Sequence, residues 1–383
     1  MATIKKLDKG SYEVRWDEYD AEGRRHQRRK HFDRANEAND FAKILDKDRP
    51  YEASTTKFDA WMDEWFETYK ARVEATTAAT YQCIVDRCKK HFGTVLLSKI
   101  TPSAIEKFYD RLADPEHPLS QKALCSSSVQ RHHALLHRAF SIAVRDGLMQ
   151  SNPCDRVDRP ISSRQEPEMP DLMEVQARLD ALAGQSLYLP TVIALVTGMR
   201  QSEVLGLKWD AVDLKKGKIV VRRVRQRIGE ERLKKIKLKA STHEVPGMPG
   251  WIERDYTKAK KNHTVPISPE LVAVLKSAKT QQKKNQLLFG DVYMKTDYVS
   301  VYEDGRPMDA NALANAMNGI CRYHDLRHLN AVLLLRAGHS VATVADLLGH
   351  TTPQTTVTFY AHTLEEQKIA ASKTMASAIK LKS

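Results

Sequence analysis

The chain has 383 residues, 42% apolar and 28% charged, which excludes a disordered polypeptide and suits two or three globular domains. It contains no run of about eighteen apolar residues to span a bilayer and no apolar N-terminal stretch of the signal-peptide kind. Five scattered cysteines with no Cys-x-x-Cys pair argue against a disulfide framework or zinc ribbon, while 61 Lys and Arg against 48 Asp and Glu give a formal charge of +13 that favours a polyanionic partner.

Near the N-terminus, Ser11-Tyr-Glu-Val-Arg-Trp16 alternates like a half-buried strand and Asp20-Ala-Glu-Gly23 makes a turn. A second, very basic strand follows over residues 24–32, then a helix over 35–45 with Ala38, Phe41, Ala42 and Leu45 on one face. Such a sheet, exposing Arg24, Arg25, Arg28 and Arg29, suits insertion into a DNA groove, though a solvated hairpin would carry the same pattern.

The next segment opens near Thr55. Phe58, Trp61, Met62, Trp65, Phe66 and Tyr69 recur at helical spacing, and so wide an aromatic stripe is a core signal before it is a base-stacking one. Helices are predicted over 76–91, 101–112 and 127–146, the last capped by Ser126, Ser127 or Ser128. Its apolar face is Val129, Leu136, Phe140 and Ala143, and its expected basic surface includes Lys122, Arg131 and His132. The polar, proline-bearing run over 159–168 reads as a linker.

The remainder reads as helices over 172–183 and 188–196, a short helix after Gly198, and strands over 219–227, 232–239 and 264–267. Helices dominate thereafter. Residues 215–239 hold twelve Lys and Arg, including Arg222 and Arg225, against only Glu230 and Glu231. That imbalance suits a nucleic-acid backbone.

Chemistry concentrates towards the C-terminus. His324-Asp-Leu-Arg327-His328 puts an imidazole and a guanidinium one helical turn apart, followed by Leu348-Gly349-His350 and Phe359-Tyr360. Arginine grips phosphate oxygens with two parallel bonds, histidine moves a proton, and a phenol can attack phosphorus. Upstream, Thr197-Gly198-Met199-Arg200-Gln201-Ser202-Glu203 ends an apolar helix at Gly198 and sets Glu203 where it can orient Arg200. Lys258 lies in a lysine-rich turn before Val265-Pro266-Ile267, where any single lysine is weakly specified.

Arg200, Lys258, His324, Arg327, His350 and Tyr360, in this order, resemble the tyrosine recombinase family of phage integrases. The N-terminal segment resembles the arm-binding domain of integrases of the phage lambda type. The resemblance implies a mainly α fold with small β-sheets in three domains: an arm-type DNA-binding domain over 1–52, a helical core-binding domain over 53–162, and a mixed α/β catalytic domain over 163–383. It implies Tyr360 as nucleophile, Arg200 and Arg327 as phosphate clamps, Lys258 as general acid, His324 as the aid to tyrosine deprotonation, His350 as a phosphate contact, and Glu203 as the holder of Arg200. No cofactor, metal or ATP is implied.

The implied partners are double-stranded DNA with core-type and arm-type sites, a homotetramer assembled on that DNA, a host DNA-bending protein and an excision factor. The implied place is a bacterial cytoplasm, on the nucleoid. The lysine motif carries Asn262-His263 where a Ser-Arg or Arg-Arg pair is more usual, so Lys239 remains a rival to Lys258. Alternatives are a cellular recombinase that resolves chromosome dimers, a type IB topoisomerase, and a DNA-binding regulator with a dead site. The tail over 364–379, with Ile369, Ala370, Met375 and Ile379 apolar, is expected to dock on a neighbouring copy.

Overall fold

A computed structural model describes residues 3–7, 11–19, 25–47, 54–116, 119, 122–161, 169–255, 262–350, 352 and 372–376. The fold is mainly helical with three small antiparallel sheets among these residues. None of the described helices is long and apolar enough to cross a membrane. The chain falls into two compact units, Met1–Asp63 with Arg87–Ile161, and Glu64–Asp86 with Ser162–Ser383.

In the first unit, β1 (Thr3–Lys6), β2 (Tyr12–Tyr19) and β3 (Arg25–Phe32) form an antiparallel sheet backed by α1 (Ala35–Lys47). Val14, Ala38 and Ala42 are its buried core, with Tyr12, Trp16, Phe32 and Phe41 packed around them. The register pairs Val14 with Lys30 and Trp16 with Arg28. The exposed Lys30 lays its ammonium over the Phe41 ring at 4.5 Å, a cation–π contact at the rim of this core.

The same unit holds part of a helical bundle: α2 (Phe58–Lys70), α3 (Ala75–Phe92), α4 (Pro102–Ala113) and α5 (Ser126–Arg145). The unit boundary falls within α2 and α3. The aromatic stripe is core as expected: the Phe58 ring packs against Phe92 at 5.0 Å and Phe140 at 6.0 Å. Thr101 caps α4 by accepting from the Ala104 N–H. At α5 the cap position belongs to Cys125, not to the serines after it, and its Sγ meets the Ser127 and Ser128 hydroxyls instead of capping a helix N–H.

The second unit continues with α6 (Leu172–Leu182), α7 (Tyr188–Thr197) and α8 (Gln201–Leu205), then β4 (Val212–Asp213), β5 (Lys218–Val221), β6 (Val224–Arg227) and α9 (Glu230–Leu233). Next come β7 (Thr242–Glu244), β8 (Trp251–Arg254), β9 (His263–Pro266), α10 (Pro269–Phe289), α11 (Ala310–Ala316), α12 (Asp325–Arg336) and α13 (Val341–Leu347). One sheet has the order β4-β5-β9 and the other β6-β8-β7.

Two strand expectations need correction. The strand expected over 219–227 is broken after Val221, and its halves enter different sheets. At the break, Arg223 Nη1 binds Asp210 Oδ1 at 2.7 Å and Arg222 Nη2 binds Asp210 Oδ2 at 2.8 Å, pinning the bend. The strand expected over 232–239 begins instead within α9, where Lys234 reaches back to Glu230 and Glu231, pairs that favour a helical turn.

Arg225 also departs from expectation. It is wholly buried: Nε donates to the Leu205 carbonyl at 3.0 Å and Nη2 to the Met308 carbonyl at 2.6 Å, with the guanidinium over the Tyr298 ring at 4.5 Å. It is a core residue and not a DNA contact. Arg225→Ala strands both carbonyls and opens a cavity, so urea unfolding should lose about 3 kcal/mol, whereas exposed Arg29→Ala should change it by less than about 0.5 kcal/mol.

Candidate active site

The site begins where α7 stops. Gly198 closes that helix in the left-handed conformation, φ +64°. It has a second reason to be glycine: a β-carbon there would fall 2.4 Å from Leu348 Cδ2 and 2.9 Å from Asn330 Oδ1. Asn330 donates to the Leu195 and Val196 carbonyls at 2.8 and 3.1 Å, satisfying the last turn of α7 and locking it to α12.

Two residues on, Arg200 starts α8. Its backbone N–H donates to Glu203 Oε2 and its Nη1 to Glu203 Oε1, both at 2.8 Å. Glu203 is 0% exposed while the Arg200 side chain is 23% exposed. Burial of Glu203 sets this pair apart from a surface ion pair, which would be worth little. A buried carboxylate holds one edge of the guanidinium and leaves the side chain partly open to solvent.

Two backbone carbonyls hold Arg327: Nη1 donates to Gly198 and Nη2 to Leu348, both at 2.7 Å. Only 4% of it is exposed. His324 sits at the N-terminal cap of α12, one turn before Arg327, and its ring meets His328 edge-on at 5.2 Å.

Leu348, Gly349 and His350 terminate α13. The Gly349 N–H donates to the Asp346 carbonyl and the His350 N–H to the Ala345 carbonyl, each at 2.9 Å, with Gly349 at φ +62°. This paired closure of a helix C-terminus spends the N–H groups of both residues and leaves the Leu348 carbonyl for Arg327.

The electrostatics bind these pieces together. Burial, then the His328 imidazole and the Arg327 cation, push the pKa of His324 from 6.5 down to about 4. Burial, then Arg327 and Arg200, bring His350 to about 4 as well. His324 keeps an exposed face, so its fall reflects a pocket that dries one side of the ring. Both imidazoles are neutral at pH 7, when His324 can accept a proton.

Since the unfolded chain takes up these protons near pH 6.5 and the folded chain only near 4, stability is full above 6.5 and declines as pH falls through that window. Urea unfolding between pH 7 and 4.5 should follow this slope, and His350→Gln should flatten it. An unchanged slope would remove His350 from the account.

The sequence pattern of the Phage integrase family matches residues 165–367, more than half of the chain, and that of the phage integrase N-terminal SAM-like domain matches 57–113. The chain belongs to the phage integrase family of tyrosine recombinases. It is 27% identical over 306 residues to a tyrosine recombinase XerC-like protein of Caldanaerobacter subterraneus subsp. tengcongensis, covering 73% of this chain and 71% of that one. It is 25% identical over 289 residues to the ICEBs1 integrase of Bacillus subtilis, covering 71% of each. Its fold is similar to that in a lambda integrase tetramer bound to a Holliday junction, with a TM-score of 0.56 at 14% identity over 91% of this chain and 96% of that one. The protein is thus a DNA-binding enzyme of site-specific recombination.

Not every predicted residue of the recombinase falls in this cluster. Tyr360 and Lys258 lie outside the described residues, as does Arg24, and the Arg25 side chain is likewise not described. Lys239 is engaged elsewhere, its Nζ 3.0 Å from Glu74 Oε1. His132 is 2% exposed, with Nδ1 2.8 Å from the Ser128 carbonyl, and burial holds its pKa down. It is a neutral core histidine and not a DNA contact, because α5 buries a wider face than its aliphatic residues mark. Arg28, Arg29, Lys122 and Arg131 are exposed, and Arg222 is half-buried against Asp210.

Sequence reasoning overlooked His263. It opens β9, lies against Gly349, and has its pKa lowered first by burial, with Glu203 opposing and Arg200 and Arg327 adding to the fall. The available signal was its departure from the usual basic pair of the lysine motif.

Proposed function

We propose that this recombinase integrates and excises a phage or other mobile element by cutting and rejoining duplex DNA through a 3′-phosphotyrosyl intermediate. The observation that carries this is the convergence of Arg200, Arg327, His324 and His350 around the Gly198 turn, two guanidiniums and two neutral imidazoles. Tyr360 follows His350 by ten residues.

In this reading the Tyr360 oxygen attacks the scissile phosphorus while His324 takes its proton. A phosphorus–tyrosine bond forms, the bond to the 5′ oxygen breaks, and Lys258 supplies the proton that makes a 5′-hydroxyl. The two guanidiniums and His350 hold the non-bridging oxygens as charge gathers on them. The ion pair of Lys239 with Glu74 favours Lys258 in the acid role. Attack by the 5′-hydroxyl of a partner strand reverses the sequence and conserves the phosphodiester energy.

The domain plan accompanying this reading is an arm-binding module over 1–52, a core-binding module over 53–162 and a catalytic module over 163–383. Strand exchange needs four such sites, hence a tetramer on DNA. The N-terminal sheet supports a mobile-element role: its third strand carries the exposed Arg28 and Arg29, which suit a polyanionic partner. Similarity to the ICEBs1 integrase points the same way. Similarity to a XerC-like recombinase keeps the resolution of chromosome dimers as the second reading.

A nicked duplex carrying the element's junction sequence tests the reaction. Wild-type protein should become covalently linked to DNA, and Tyr360→Phe should bind equally but form no adduct. Arg327→Lys, which gives up the fork, should slow the adduct by about a hundredfold. A wild-type chain that never forms the adduct would sink the enzymatic reading, and an adduct in Tyr360→Phe would move the nucleophile.

A further inference from the structure

The Gly349 turn has a bare side. With no β-carbon on Gly349, and with its N–H and that of His350 spent on α13, the turn meets Arg327 through the Leu348 carbonyl. That side is occupied by His263. A β-carbon on Gly349 would fall 2.6, 2.7 and 2.9 Å from the Cε1, Nδ1 and Nε2 atoms of the His263 ring, so the ring lies flat on the space a side chain would take. Its backbone is fixed by the pairing of β9 with β5, which sets His263 opposite Val221.

We infer that His263 is a positioning residue for strand cleavage: its ring is the platform that seats the Leu348–Gly349–His350 turn, and through that turn aims His350 and the carbonyl that holds Arg327. This rests on the strand-transfer reading above. An aliphatic residue would fill the same space. Neutral at pH 7, the imidazole fills it while presenting a polar edge beside Glu203 and the two arginines. The rival role is on the leaving-group side, through Lys258, which precedes His263 by five residues.

Two nicked substrates separate these roles, one with the native phosphodiester and one with a 5′-bridging sulfur, whose thiolate departs without a general acid. His263→Ala should bind both within twofold of wild type yet form the adduct about tenfold more slowly on each, since sub-ångström misplacement of phosphate contacts is costly. His263→Phe, which restores a flat ring on Gly349, should recover the rate to within about threefold. In a double-mutant cycle, Gly349→Ala should lose less in the His263→Ala background than alone, because the clash is gone.

An unchanged rate in His263→Ala would overturn the inference. So would recovery on the sulfur substrate alone, which assigns the residue to the leaving group, or binding lost in parallel with cleavage, which makes its role one of folding. Strict additivity in the cycle, or a Phe variant as slow as Ala, would do the same. If wild-type protein forms no adduct on either substrate, the strand-transfer reading itself fails.

Discussion

A guanidinium buried in a protein must find acceptors that cannot leave, and Arg327 finds two carbonyls, at Gly198 and Leu348, that belong to the ends of different helices. Neither carbonyl can move without unwinding its helix terminus. The cation therefore ties the end of α7 to the end of α13 while sitting on α12, and the other functional groups hang from the same three elements. His324 is a turn earlier on α12, Arg200 is two residues past Gly198, and His350 is two residues past Leu348. One interaction thus sets both the packing of the helices and the spacing of the pocket.

The cost of this arrangement is concentrated positive charge. Arg200 has a buried carboxylate in Glu203, and Arg327 donates to the carbonyls of Gly198 and Leu348. Burial comes first in lowering the proton affinity of His324, His350 and His263, and the two arginine charges add to it. Charge gathering on the oxygens of a bound phosphate is what two guanidiniums so placed can stabilise.

Much of this was legible in the sequence, for reasons that can be named. Helix period fixed the aromatic stripe from Phe58 to Tyr69 as core, and the apolar run before Gly198 announced a left-handed helix end. The i, i+3 spacing placed His324 with Arg327 and Arg200 with Glu203. What failed was the inference from charge. Arg225 and His132 looked like surface because they are basic, yet burial is decided by register, and each found carbonyl partners inside. Much of the basic run over 215–239 is likewise paired internally, with Asp210, Glu74, Glu230 and Glu231. His263 was missed because its partner is a glycine, and a contact with an absent side chain leaves no periodic trace.

The first two turns of α12 carry His324, Arg327 and Asn330 at intervals of three, the last two both bound to the end of α7. A helix advances about 100° per residue, so one residue inserted or deleted between them would swing the later groups off their partners together. Substitution can be absorbed at such a helix one position at a time. A change in length cannot, which makes this short stretch a ruler against which the whole pocket is measured.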